Sequence, residues 1–369
     1  LYHLIFVVKI KNNMRVCILG TGLSSLTLAK ALVNQKIYVD VFVPEKTLKI
    51  NKTRTIGISK SNVKFFNNNI INIEKIIWKL NKIEIFSDNY KNEKILNFED
   101  NKEYLFSIVR NYELLNILLN DLSKNKFFKK KKLINNDLLS KYNLIFNTDH
   151  NNSITKKYFN KKIEKKYNCF AYTTIIRHDK ILNNTATQIF TNKGPLAFLP
   201  ISNYETSVVY SVNKLNNKIN NINELIQNYN FKYNIKKIKK VEFFELKSLS
   251  LRSYYHNNIL SFGDLLHKVH PLAGQGFNMT IRDIITLMKI IKSKIDLGLD
   301  LDMSVNYEFQ NKLKHKNFIF SNSIDMLNAF FNYERKTKND LLIKSLKKLG
   351  KLPSVNKFFT RVADNGTLL

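Results

Sequence analysis

From Arg15 the chain passes from an apolar run, RVCIL, through a turn holding Gly20 and Gly22 into a stretch with Leu23, Leu26, Ala29, Leu32 and Val33 at three- and four-residue spacing. A second apolar run, KIYVDVFV, follows. This pattern predicts a β-α-β unit whose helix buries one face on a sheet and turns Lys30 and Gln35 outward. A helix is expected through Ile76 to Leu80. NKIEIF alternates as a half-buried strand does, IVRNYELLNILLNDL reads as an amphipathic helix entered through Arg110, and YNLIFN from Tyr142 to Asn147 reads as a buried strand. Between Tyr167 and Leu246 the runs CFAYTTII, TATQIF, AFLPI, TSVVYSV and VEFFEL, broken by Asn, Lys, Gly and Pro, predict a mostly antiparallel sheet, with the prolines of GPLAFLP suiting a rigid loop or a strand edge. The last strong signal is a short strand from Ile259, a polar turn, and a helix in which Phe277, Ile281, Ile284, Ile285, Met288 and Ile291 form one stripe. The fold class is α/β.

Two glycine-rich turns carry the candidate chemistry. Gly20 permits a tight bend and Gly22 lets a pyrophosphate approach bare N–H groups at a helix N-terminus, where the dipole favours anions. Ser25 stands where a third glycine is usual and is small enough for close helix–strand packing. Glu45, just past the second strand, reads either as a ribose ligand or as a plain loop glutamate. Arg54, in a Thr/Gly/Ser-rich loop, reads as a phosphate or flavin contact or as a surface guanidinium. Gly274, Gln275 and Gly276 precede the late helix and present N–H groups to whatever lies in front. Asp264, directly after a strand, is placed to grip hydroxyls.

Composition adds exclusions. With 369 residues, 44% of them hydrophobic, the chain can bury the cores of two domains, so disorder is not its main state. No run reaches the length of a membrane span, since Leu4 to Val8 stops at Lys9. Cys17 and Cys169 are too few for a disulfide framework and suit a reducing compartment. The net charge of +31 comes from 52 lysines and 8 arginines, and lysines mixed with asparagine and isoleucine throughout are what an A+T-rich coding sequence produces. A solvated basic face is expected, with attraction to anionic lipid or nucleic acid as the functional alternative and no specific nucleic-acid partner. His267 and His270 lack carboxylate or cysteine partners at ligand spacing, so no metal is expected.

The strings ILGTGLSSLTLAKAL, TRTIGIS, IVRNYELLNILL, YNLIFNTDHNNS, Ala186 to Phe190, GPLAFLP and above all GDLLHKVHPLAGQGFN resemble the FAD-dependent aromatic-ring hydroxylases, most closely their ubiquinone-biosynthesis branch. The resemblance implies a Rossmann-type FAD-binding domain, an inserted antiparallel substrate domain and a helical C-terminal tail. The expected boundaries are 14–80, 101–165 and 251–295 for the FAD-binding domain, 81–100 and 166–250 for the substrate domain, and 296–369 for the C-terminal helices. Residues 1–13 read as a dispensable extension. The resemblance also implies that Gly20, Gly22, Ser25, Glu45, Arg54, Arg110, Asp264, Gly276, Phe277 and Asn278 contact FAD, and that Pro271, Gly274, Gln275 and Gly276 lie beside its isoalloxazine. The implied reaction is hydroxylation of a polyprenylphenol by O2 through a flavin C4a-hydroperoxide, with NAD(P)H or a ferredoxin as electron donor and no side-chain nucleophile. The cysteine usage suits a cytoplasmic enzyme, and the tail that includes Leu341 to Leu349 and Phe358-Phe359 reads either as a peripheral contact with the inner face of the membrane or as a segment packed on the FAD domain; a quinone-biosynthesis complex is a candidate partner. The alternatives are another hydroxylase or reductase of the same fold, or a degenerate assembly subunit. The chain departs from the family pattern at Leu265 and Leu266, which are expected to narrow the space near the flavin, at Met279-Thr280, where a glycine is usual, and at Asp149-His150, which replaces an Asp-Gly pair.

Overall fold

Val16, Cys17, Ile18 and Leu19 are each at most 1% exposed, as a strand covered on both faces must be. In the computed structural model the strand Arg15–Leu19 runs parallel to Tyr38–Val43 on one side and to Leu144–Asn147 on the other. These three lie inside a six-stranded sheet ordered Tyr255–His256, Ile259–Ser261, Leu144–Asn147, Arg15–Leu19, Tyr38–Val43, Phe128–Lys132. The structure describes residues 14–43, 51–88, 94–100, 103–132, 141–213, 222–271 and 274–337, with 344, 348, 360, 361, 364 and 366. The 1–13 extension, Glu45 and the apolar tail segments 341–349 (apart from 344 and 348) and 358–359 lie outside these.

The helix Leu23–Asn34 packs beside Asn111–Leu122, which buries Leu114, Leu118 and Leu122 at four-residue spacing, and also beside Gln275–Asp296. Lys30 therefore does not face water. It is 8% exposed, because the neighbouring helix covers that face and supplies Asp121 2.5 Å from its Nζ.

A nine-stranded sheet holds the β-rich middle of the chain, with the long strand Lys162–His178 between Glu205–Asn213 and Glu242–Leu251. All its pairings are antiparallel except that of Thr185–Thr191 with Lys82–Ser87. Gly194–Pro200 is not at an edge, because it pairs with Thr185–Thr191 and with Glu205–Asn213. Its two prolines fall near the strand ends, where a missing N–H disturbs the ladder least.

The expected helix through Ile76 to Leu80 is a strand, Ile77–Leu80; the helix lies earlier, at Lys60–Asn69. The apolar run there is too short to distinguish the two periods. Pairing with Phe106–Arg110, which also pairs with Thr55–Ser59, decides the outcome, helped by Trp78 Nε1 donating to the Asn183 carbonyl at 2.6 Å. The late helices, Gln275–Asp296 and Met303–Thr337, close the molecule, with Val305 and Phe309 buried in the same core as Tyr254 and Phe262.

Candidate functional site

The first wall of the site is the C-terminal edge of the parallel sheet. Gly20 leaves the first strand with φ +114°, and its N–H donates to the Phe42 carbonyl at 3.1 Å. A Cβ there would lie 2.3 Å from Thr148 Oγ1, so only glycine fits. Ser25 Oγ sits 2.6 Å from the same Thr148 oxygen, which in turn donates to the Leu19 carbonyl, and this ties the turn to the end of Leu144–Asn147. Gly22 is different: it caps the helix Leu23–Asn34 with an ordinary extended backbone, and a Cβ on it would meet nothing within 4 Å. The helix start has neither a side-chain cap nor an acidic residue in its first turn. Its N–H groups are therefore an anion-binding end with room in front.

Gly263, at φ +64°, brings Asp264 to the same place, because a Cβ on Gly263 would lie 2.6 Å from the Ser24 side chain. Asp264 is exposed at this edge, and His150 lies within electrostatic reach of it. The FAD contact that the resemblance implies for Asp264 predicts that Asp264→Ala lowers flavin content while leaving the far-UV spectrum unchanged, since an exposed carboxylate contributes little to packing. Protein that stays colourless after refolding with excess FAD, wild type included, would refute the cofactor assignment itself.

The second wall is the start of Gln275–Asp296. Gly274 caps it at φ +61°, close against Gly57 of the strand Thr55–Ser59. A Cβ on Gly276 would meet nothing within 4 Å, and Pro271 and Phe277 are half-buried, Phe277 with its ring 6.4 Å from that of Phe66. Gln275 is buried. Asn278 acts inside the protein. Its amide donates to the carbonyls of Gly57 and Gly274 at 3.0 and 3.1 Å and accepts from Ser59 N and Asn62 Nδ2 at 2.9 and 2.8 Å, fixing the helix end to the strand.

The two arginines separate. Arg54 is exposed, with its guanidinium 5.9 Å from the Phe244 ring centre, and its carbonyl accepts from Asn111 N. Arg110 is held between carboxylates, 2.5 Å from Glu205 and 3.3 Å from Glu113, where it links the three-stranded sheet to the antiparallel one. Burial alone would raise the Glu205 pKa, but the hydrogen bond and charge of Lys239, with the charges of Arg110 and Arg177, hold it below its ordinary value. Leu265 and Leu266 are 2% and 0% exposed, so the space they fill is interior packing.

Behind the second wall His267 and His270 each belong to a buried polar cluster whose other members the sequence did not show. His267 Nε2 contacts Asp283 Oδ2, and Asn317 Nδ2 donates to Asp283 Oδ1 at 3.1 Å, which joins the strand before the turn to both late helices. His270, 2% exposed, meets the edge of Tyr167, whose hydroxyl donates to Asp325; its Nδ1 has no hydrogen-bond partner among the described residues. Asp283 on an otherwise apolar helix face was the available signal for the first cluster.

Burial lowers the His270 pKa to about 4 from an ordinary 6.5, against the opposing pull of Asp325. Between these values only the unfolded chain takes up the proton. Stability is therefore fully present above pH 6.5 and falls as the pH drops toward 4, by about 3 kcal/mol once developed. His270→Phe should flatten that part of the stability–pH curve, as measured by urea midpoints; an unchanged slope would contradict this burial.

The arrangement offers one anion-binding helix end, an exposed carboxylate beside it and a second helix end facing the antiparallel sheet. Residues 202–296 match the family model described as FAD binding domain. The chain is 32% identical over 99 residues to the mitochondrial ubiquinone biosynthesis monooxygenase of Dictyostelium discoideum, covering 27% of this chain and 19% of that protein. It is 27% identical over 153 residues to 3-demethoxyubiquinol 3-hydroxylase of Escherichia coli, covering 39% of each. It thus matches well under half the length of these curated relatives. Among solved structures it is similar to p-nitrophenol 4-monooxygenase of Pseudomonas putida, with TM-score 0.75 and 12% identity over 95% of this chain and 99% of that one. It is equally similar to HpxO of Klebsiella pneumoniae complexed with FAD and uric acid, with TM-score 0.74 and 12% identity over 96% and 97%. The fold is that of these FAD-dependent monooxygenases, and the FAD-binding-domain match places a cofactor-binding segment within it. In sequence the chain is similar to the FAD-dependent aromatic hydroxylases of the ubiquinone-biosynthesis type over part of its length.

Proposed function

We propose that the chain is an FAD-dependent monooxygenase that hydroxylates a polyprenylated phenol ring in ubiquinone synthesis, working at an anionic membrane surface with O2 and electrons from NAD(P)H or a ferredoxin. The observation that carries the reading is the meeting of the open Gly22 helix end and Asp264 at the C-terminal edge of a parallel sheet, where dinucleotides bind in such folds. The residues fit FAD: the space a Gly22 side chain would fill is empty, and the N–H groups behind it have no acidic competitor. FAD, when bound, supplies the activation of O2 that no side chain can perform.

The protein's part is positional. The Gly20–Gly22 turn holds the diphosphate, and Asp264 takes a sugar hydroxyl. The N-terminus of Gln275–Asp296 draws negative charge toward the reacting ring system, an effect worth up to about 2 kcal/mol. Asn278 keeps that helix end fixed against Thr55–Ser59. Such a fixed dipole acts without reorganising. The half-buried Leu199, on the opposite face of its strand from the closed core of Leu196 and Phe198, offers apolar surface that suits a prenylated ring and excludes water, which protects oxygen transfer from uncoupling. An electron-rich phenol needs no metal for this attack.

The test supplies reduced protein, isotopically labelled O2 and a prenylphenol. One labelled oxygen per product is expected. If flavin reoxidises at the same rate with and without the phenol and only H2O2 forms, the hydroxylase reading fails.

A further inference from the structure

Where the first residues of Lys162–His178 pair with the last of Glu242–Leu251, a groove of about 590 Å³ runs between that strand pair and the helix Met303–Thr337. One wall is Ile163, Leu251 and Arg252; the other is Lys314, His315 and Phe318. Among the described residues none of Arg252, Lys314 and His315 has an ion-pair partner, and the nearby carboxylates Glu164 and Glu308 are paired with Lys162 and Lys312 at 2.8 and 2.7 Å. The groove thus presents cationic and imidazole groups with no anion of the protein to meet them.

Its apolar side is as unusual. Ile163 and Phe318 are 51% and 47% exposed, and beyond the groove the same helix carries Ile319 and Met326 at 39% and 76% exposure. His315, Ile319, Asn322 and Met326 follow three- and four-residue spacing, so the polar end of the groove runs directly into a stripe that exposes apolar side chains. A soluble anion would use the first feature and leave the second in water. Acidic phospholipid uses both, with the phosphate among Arg252, Lys314 and His315 and the acyl boundary against Phe318, Ile319 and Met326. No helix among the described residues is long and apolar enough to cross a membrane, so contact would be lateral.

We infer that this groove and stripe form a docking surface for the acidic phospholipids of a bilayer. The inference rests on the part of the proposed function that puts the chain at a membrane surface, and not on the reaction. Vesicle binding and oxygen transfer are read separately, so either can fail alone.

The experiment uses the full chain with FAD in flotation with vesicles of phosphatidylcholine, alone or mixed with phosphatidylglycerol. The groove variant combines Arg252→Gln, Lys314→Gln and His315→Gln; the stripe variant combines Phe318→Ser, Ile319→Ser and Met326→Ser. A charge control removes three exposed lysines elsewhere, through Lys124→Gln, Lys129→Gln and Lys130→Gln. All positions are exposed, and an unchanged far-UV spectrum and flavin content show that each variant is folded. Binding to the acidic vesicles is expected to fall roughly tenfold or more in both the groove and the stripe variants, while the charge control holds. Three results overturn the inference: no preference for acidic vesicles, an equal loss in the charge control, or a stripe variant that binds as wild type while glycerol phosphate displaces the protein. The first means no lipid site, the second diffuse attraction by the +31 charge, and the third a site for a soluble anion.

Discussion

Gly22→Asp is expected to empty the protein of FAD while leaving the apoprotein as stable as wild type or slightly more so. The backbone at Gly22, with φ −72° and ψ 177°, accepts any residue, and the side chain enters open space. Aspartate is a better N-cap than glycine by a few tenths of a kcal/mol, and its charge gains about 0.3–1 kcal/mol from the helix dipole. That carboxylate, however, takes the N–H groups a diphosphate needs and repels it, so FAD affinity should fall roughly a hundredfold or more. Melting temperatures must be compared on cofactor-free protein, because bound FAD itself stabilises. Unchanged FAD retention would remove the Gly20–Gly22 turn from the cofactor site. By contrast, any side chain at Gly20 meets both a left-handed backbone and Thr148, so replacement there should damage the fold first.

Asp283→Ala should be among the most destabilising single changes in the chain. Asp283 is 0% exposed and accepts from His267 and Asn317, which are both buried. Its removal leaves two donors with no acceptor, at about 1–3 kcal/mol each, and a total loss of about 3–5 kcal/mol is expected in urea unfolding. Asp283→Asn, which keeps the shape and one acceptor, should lose less. A loss for Asp283→Ala below about 1 kcal/mol would mean that the cluster is not closed as described. Because the cluster joins His267 to both late helices, flavin retention should fall with stability.

Much of the nucleotide-binding half was legible because its signals are local. A central parallel strand is buried on both faces, so VCIL had to be a continuous apolar run, and the amphipathic period of Gln275–Asp296 was visible without knowing what it packs on. The Gly20 and Gly274 turns were legible for a similar reason: both have positive φ, which glycine adopts freely.

Where the sequence misled, the deciding partner was distant. The residues Ile77–Leu80 suit either period, and their strand exists because Phe106–Arg110 offers an unpaired edge. Lys30 reads as solvent-facing until a second helix brings Asp121 over it. What the sequence could not show for Arg110 is its partner in the fold: its guanidinium meets Glu205, 95 residues on.

By itself, then, the sequence determined most of the element types and the two glycine turns, because backbone conformation and one-sided burial leave their mark within a few neighbouring positions. Tertiary structure alone decided which polar side chains serve the fold. Asn278 stands in the most family-like string of the chain, but its partners Asn62 and Gly57 are 216 and 221 residues away. A buried amide must satisfy its donors and acceptors wherever the packed chain supplies them, and that supply cannot be read from its neighbours in sequence.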